Sequence, residues 1–161
     1  MNETSLTHKT ITIEEIHKEI DLLQSCISRM AQNSFAIKGW AYVLVAAIAA
    51  LSAEKLNLYA LCIGGIFIFC IFWWLDAFFL KMEKLYRYKY EWVIVMRPNG
   101  NRSFLYDLNP TNKETWMAGK KDISVTSVMF SKPHTLLIFY GSPILIGIVV
   151  IILKVTGCLK T

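Results

Sequence analysis

The sequence predicts a predominantly α-helical membrane protein with three transmembrane helices, an N-terminal amphipathic heptad helix and a small mixed α/β cytoplasmic insertion. Three observations lead there. Phe35 to Ala53, Leu56 to Leu80 and Thr135 to Leu153 are long apolar stretches, interrupted only by Lys38 in the first and Asp76 in the second. At ~1.5 Å per residue, each is long enough to cross a hydrocarbon layer of ~30 Å. The whole chain is 55% apolar and 18% charged, more hydrophobic than a soluble domain at roughly 45–50% apolar. Ile13, Ile16, Ile20, Leu23, Ile27 and Met30 then follow one another at alternating steps of three and four, the a and d pattern of a heptad seam.

Residues 1–11 form a polar tail, and Thr12-Ile13-Glu14-Glu15 reads as a capping box that starts a helix over 12–34. Glu14 and Lys18 make an i,i+4 pair away from the seam. The seam lasts about two and a half heptads. Three roles stay open for it: packing on the protein's own cytoplasmic region, lying on the membrane surface, or serving as an oligomerisation seam between copies. No Pro or Gly separates Arg29 from Phe35, so helix runs on into the first span, 35–53. There Ala46 with Ala50, and Ala49 with Ala53, are small-residue pairs that admit another helix. Glu54 to Asn57 allows only a tight external turn, which makes 35–80 a transmembrane hairpin with its second span at 56–80. A signal peptide is not expected, because the 34 residues ahead of the first span are polar and helix-patterned.

Gly64 and Gly65 are hinge candidates in the second span, whose far end carries the aromatic run Phe72-Trp73-Trp74 and Phe78-Phe79. Residues 81–134 form the cytoplasmic region. Pro98-Asn99-Gly100 lies between the apolar runs Trp92–Val95 and Phe104–Tyr106 and predicts a β-hairpin. Ile123 to Phe130 alternates with Ser and Thr like a strand. The piece is too short to sustain a core alone, so the first helix or neighbouring subunits must cover it. The third transmembrane helix occupies 135–154, with Pro143 as a further hinge candidate, and 155–161 is an external tail.

Of the seventeen basic residues, only Lys55, Lys154 and Lys160 lie outside the N-terminal 38 residues and the stretch from Lys81 to Lys132. The positive-inside rule therefore predicts a cytoplasmic N-terminus and an external C-terminus. The net charge of +5 then faces the anionic inner leaflet. Nucleic acid is not an expected partner, because Glu83, Glu91, Asp107, Glu114 and Asp122 interrupt the central basic residues. Lys38 and Asp76 lie roughly 22 and 28 Å from the external turn along straight helices, at similar depths. They are predicted to form an interhelical ion pair, against the alternatives that Lys38 snorkels to the headgroups or that the two serve a permeation site.

No catalytic residue, metal ligand set or cofactor site is expected, and the chain is not read as an enzyme. His8, His17 and His134 are scattered, no nucleophile stands beside a base, and Cys26, Cys62, Cys70 and Cys158 lack metal or redox spacing. The spans carry too few polar residues to line a wet channel within one subunit, so a pore needs several copies.

Arg29-Met30-Ala31-x-Asn33-Ser34-Phe35-x-x-Lys38-Gly39-Trp40, followed by Trp74-Leu75-Asp76-Ala77-Phe78-Phe79-Leu80, resembles a widespread set of small bacterial inner-membrane proteins with an RMAxNSFxxKGW signature. In layout the chain is also similar to the membrane accessory protein of type VI-B CRISPR systems. The resemblance makes Arg29, Asn33, Ser34, Lys38, Gly39, Trp40 and Asp76 the family motif. It implies a homo-oligomer in the bilayer that acts as a pore-forming or membrane-disrupting effector of anti-phage defence. The alternative is a non-conducting membrane scaffold or sensor that docks a soluble defence-system partner at its cytoplasmic face.

Overall fold

A computed structural model describes residues 11–52, 58–131 and 135–156. The expected external turn at 54–57, the residues 132–134, most of the polar tail and the end of the external tail lie outside the described residues. Helix α1 spans Ile13–Ser52, α2 Leu58–Met96, α3 Val125–Met129 and α4 Thr135–Val155. At ~1.5 Å per residue, α1 and α2 are nearly 60 Å long, about twice the hydrocarbon thickness, while α4 just matches it. Three of these helices are long and apolar enough to cross a membrane. The chain divides into two compact units, one built from Met1–Arg29 and Glu83–Lys121, the other from Met30–Met82 and Asp122–Thr161.

In the first, more polar unit, α1 begins with a reciprocal cap. Thr12 donates its amide to Glu15 Oε2 at 2.9 Å, and the Glu15 amide donates to Thr12 Oγ1 at 3.2 Å. Leu23 then packs with Trp92 and Val93 of α2, surrounded by Ile20, Tyr86, Tyr90, Met96, Leu108 and Met117.

The described residues contain no strand, and the expected α/β insertion is replaced by helix and ordered loop. Trp92–Val95 belongs to α2 because its buried positions here, Leu85, Lys89, Trp92 and Val93, fall on one helical face. Pro98-Asn99-Gly100 closes this helix instead of turning a hairpin. Gly100 has φ +77°, its amide donates to the Arg97 carbonyl and the Asn101 amide to the Met96 carbonyl, the Schellman pattern that a left-handed glycine permits. Asn99 Nδ2 adds a bond to the Val95 carbonyl at 2.8 Å.

Beyond the cap, Asn101, Asp107, Asn109 and Asn112 each accept a backbone amide two residues on. These local bonds serve the backbone that a β-ladder would otherwise use. The expected strand at 123–130 is the short helix α3, capped by Ser124, which accepts from the Ser127 amide at 3.0 Å.

The second unit is a bundle of α1, α2 and α4 with α3 against one end. Ala41, Phe69 and Tyr140 form one buried cluster and Ala77, Val128 and Leu136 another. Helix α2 runs unbroken through Gly64-Gly65, and close packing occurs instead at Gly147, where a Cβ would meet Ile66 Cγ1 at 3.1 Å. Helix α4 also continues through Pro143. A proline lacks the amide that the carbonyl four residues earlier requires; here that carbonyl, Phe139 O, accepts the Tyr42 hydroxyl of α1 at 3.0 Å. The outward faces carry Phe35, Trp40 and Val43 of α1, Ile63 and Phe67 of α2, and Ile138, Ile146 and Ile152 of α4, all more than half exposed.

Leu23 is fully buried and Cys26, one turn away, nearly so. Leu23→Ala is expected to cost about 2–5 kcal/mol and to turn the protected Cys26 thiol into a readily labelled one. Maleimide labelling followed by peptide mass analysis reads this, and an unchanged Cys26 rate would contradict the packing.

Candidate functional site

Ser34 and Lys38 are one turn apart on α1, so their side chains share a face, and that face meets Asp76 of α2. Lys38 Nζ lies 2.6 Å from Asp76 Oδ2 and donates to Ser34 Oγ at 2.9 Å. The Ser34 hydroxyl in turn donates to Asp76 Oδ1. Oδ2 meets Nζ as an ion pair and not along a directed hydrogen bond. Asp76 is fully buried, while Lys38 keeps about a quarter of its side chain exposed, enough for the ammonium to retain some contact outside the bundle.

Two further polar atoms belong to this cluster. Trp73 Nε1, one turn before Asp76, is buried without a hydrogen-bond partner among the described residues, and the Tyr140 hydroxyl of α4 is buried beside Asp76. Their rings stack with centroids 6.4 Å apart, and Asp76 interacts electrostatically with Tyr140. All three long helices thus contribute to one polar focus within an apolar bundle.

The other residues on which the resemblance rests are not gathered there. Asn33 is half-buried, Gly39 and Trp40 face outward, and Arg29 places Nη2 3.5 Å from Cys26 Sγ. Of the heptad seam, Leu23 and Ile20 are spent on packing against α2 of the same chain. Ile16, Ile27 and Met30 are half-buried, and Ile13 is exposed.

A second set of charges, in the polar unit, escaped the reading of the sequence. Arg97 donates Nε to Glu19 Oε2 at 2.6 Å and Nη2 to Glu19 Oε1 at 2.8 Å, with both side chains fully buried. Its Nη1 binds the carbonyls of Asn101 and Ser103, and Glu19 Oε1 also accepts the Tyr106 amide. The guanidinium lies 5.1 Å from the Trp92 ring centroid. Lys89, also buried, reaches Asp107 Oδ2 at 2.7 Å and the Asn109 carbonyl at 3.0 Å. Held at both ends, the loop adopts φ +58° at Phe104 and +60° at Tyr106, a conformation that costs non-glycine residues of order 1–3 kcal/mol. The available sequence signal was Glu19, a charge flanking the apolar seam, which requires an opposite charge wherever that face is buried.

Burial would raise the Asp107 pKa, but hydrogen bonds from Lys89, the Asn109 amide and Asn112 outweigh it and hold it below the ordinary carboxylate range. Among the described residues no group of three His, Cys, Asp or Glu side chains is placed to hold a metal.

Comparison with protein-family models, with curated proteins and with solved structures finds no match to this chain.

Three outcomes follow from these geometries. Asp76→Asn or Lys38→Ala leaves one ion unpaired and is expected to cost about 3–5 kcal/mol; the exchanged pair Lys38→Asp with Asp76→Lys should recover most of it, read from thermal aggregation in detergent. Recovery no better than the sum of the two single losses would refute the pair. Glu19→Gln should release the loop, raising amide hydrogen exchange over 101–107 by at least tenfold, while protection near Asp76 stays unchanged. A carboxylate with a depressed native pKa stabilises the fold above its unfolded pKa of ~3.9. That contribution fades as acid passes through the native value, so the thermal midpoint should fall more steeply below about pH 4 in the wild type than in Asp107→Asn.

Proposed function

We propose that the chain is a non-conducting membrane scaffold or sensor, anchored by three spans in the bacterial inner membrane, that docks a soluble partner through its polar unit on the cytoplasmic side. The observation that carries this reading is the internal use of polarity. Lys38, Asp76 and Ser34 satisfy one another and Tyr42 serves the Phe139 carbonyl, whereas the outward faces of the bundle are apolar. A conduction path needs polar or wettable lining, and such pairing leaves little of either.

The polar unit supports the docking half of the proposal. Buried ion pairs contribute less to stability than to a defined geometry, and here they set a strained loop that carries the partly exposed Phe104 and Tyr106. A rigid loop bearing aromatic side chains suits recognition, since little freedom is lost when a partner binds.

A homo-oligomeric pore-forming or membrane-disrupting effector of anti-phage defence is the second reading. It is favoured by the signature resemblance and by the exposed Gly39, Val43, Ala46 and Ala50 on α1, a run along which a second copy could pack closely. Planar-bilayer recordings separate the two. The scaffold predicts no current from wild-type protein under acid, voltage or osmotic challenge; discrete conductance steps would overturn it in favour of the effector. The topology has its own test in a chain with all four cysteines replaced by serine. An impermeant maleimide added to intact spheroplasts should label Thr156→Cys and spare Lys121→Cys, and the reverse pattern would refute the cytoplasmic placement of the polar unit.

A further inference from the structure

Along the part of the bundle distant in sequence from Asp76, α1, α2 and α4 leave a groove of about 310 Å³. Val45, Leu61, Cys62, Phe69, Ile146 and Val150 contribute to its lining, which includes no charged side chain among the described residues. Its origin lies in residue size. Gly65 presents no side chain toward it, while at Gly147 the space is taken by Ile66. At Gly65 an added Cβ would meet only Val45 Cγ1, at 3.8 Å. The volume is near the lower end of the ~300–1,000 Å³ range of small-molecule sites. An apolar cavity offers water no hydrogen bonds, so water is a poor occupant.

Among the described residues, a charge follows the groove lining on α4. Lys154 is one turn beyond Val150 on α4, and its Nζ lies 5.1 Å from the ring centroid of Tyr59, the neighbour of the lining residue Leu58. The ring holds the ammonium by a cation–π contact, while an ammonium retains donors for an anionic oxygen.

We propose that this groove is a binding site for an anionic phospholipid, one acyl chain lying between α2 and α4 and the phosphate meeting Lys154. The assignment rests on the reading of the chain as membrane-spanning, since a lipid reaches the groove only from within a bilayer. Charge complementarity selects the occupant: an apolar slot ending in a cation matches a hydrocarbon chain ending in a phosphate, and a second protein copy would have to bring an acidic group to the same depth. The phosphate is common to all phospholipids, and the additional preference for a net negative headgroup comes from Lys154, which no charged residue opposes in the described lining.

Native mass spectrometry of the full chain in detergent, with equal amounts of palmitoyl-oleoyl phosphatidylglycerol and phosphatidylcholine, tests the site. Wild-type protein should retain phosphatidylglycerol about fivefold over phosphatidylcholine, the effect of roughly one basic residue at an anionic lipid surface. Lys154→Ala should abolish the preference and still retain either lipid. Gly65→Leu, which grows into the groove where an added Cβ has room, should lose retention of both. Equal retention of the two lipids by the wild type, or a preference that survives Lys154→Ala, overturns the proposal. Carbonate extraction of wild-type membranes reports on the membrane reading separately: protein that stays with the membrane pellet but shows no lipid preference refutes the site and leaves the spans standing.

Discussion

An ionised carboxylate taken wholly out of water costs several kcal/mol unless a cation and hydrogen bonds replace its hydration. Asp76 is in that position, and the arrangement of the apolar unit around it follows from the requirement. Lys38 and Ser34 must lie one turn apart on α1 and face α2 at that level, which sets the register of the two helices. Ala41, one turn after Lys38, is fully buried against Phe69 and Tyr140, and Ala77, next to Asp76, against Val128 and Leu136. Tyr140 and Trp73 then bring α4 to the same place through their stacked rings.

The polar unit solves a related problem differently. Glu19, Lys89 and Arg97 are as buried as Asp76, but their partners include backbone carbonyls and amides of the loop following α2. A charge that satisfies main-chain groups organises a segment with no regular secondary structure of its own. Removing one partner exposes the rest to the cost of unsatisfied buried groups, so the loop is held by a cooperative set of bonds. The same bonds account for left-handed backbone at two aromatic residues, which local preference alone would not select.

The Gly64-Gly65 pair, Gly147 and the proline show how helices tolerate unusual residues when neighbours compensate. Pro143 removes one amide donor from α4, and Tyr42 supplies another donor from α1, so the helix continues where a break was conceivable. Gly64-Gly65 lies within continuous helix, and Phe69, one turn on, packs with Ala41 and Tyr140. Small size matters most at Gly147, where Ile66 occupies the space that a side chain would need.

The sequence by itself determined the helical spans, the Thr12–Glu15 cap and the presence of charges in the first two spans, because each is a local property: length, periodicity or a reciprocal bond three residues apart. It misassigned Trp92–Val95 and Ile123–Phe130, whose β-branched residues suggest strands until burial on a helical face or a serine cap outweighs that preference. Only the tertiary structure decided which charges meet and what holds the loop. Lys38 with Asp76, and Glu19 with Arg97, are far apart along the chain, and no local pattern encodes the rotation of one helix about another that brings their buried atoms within bonding distance.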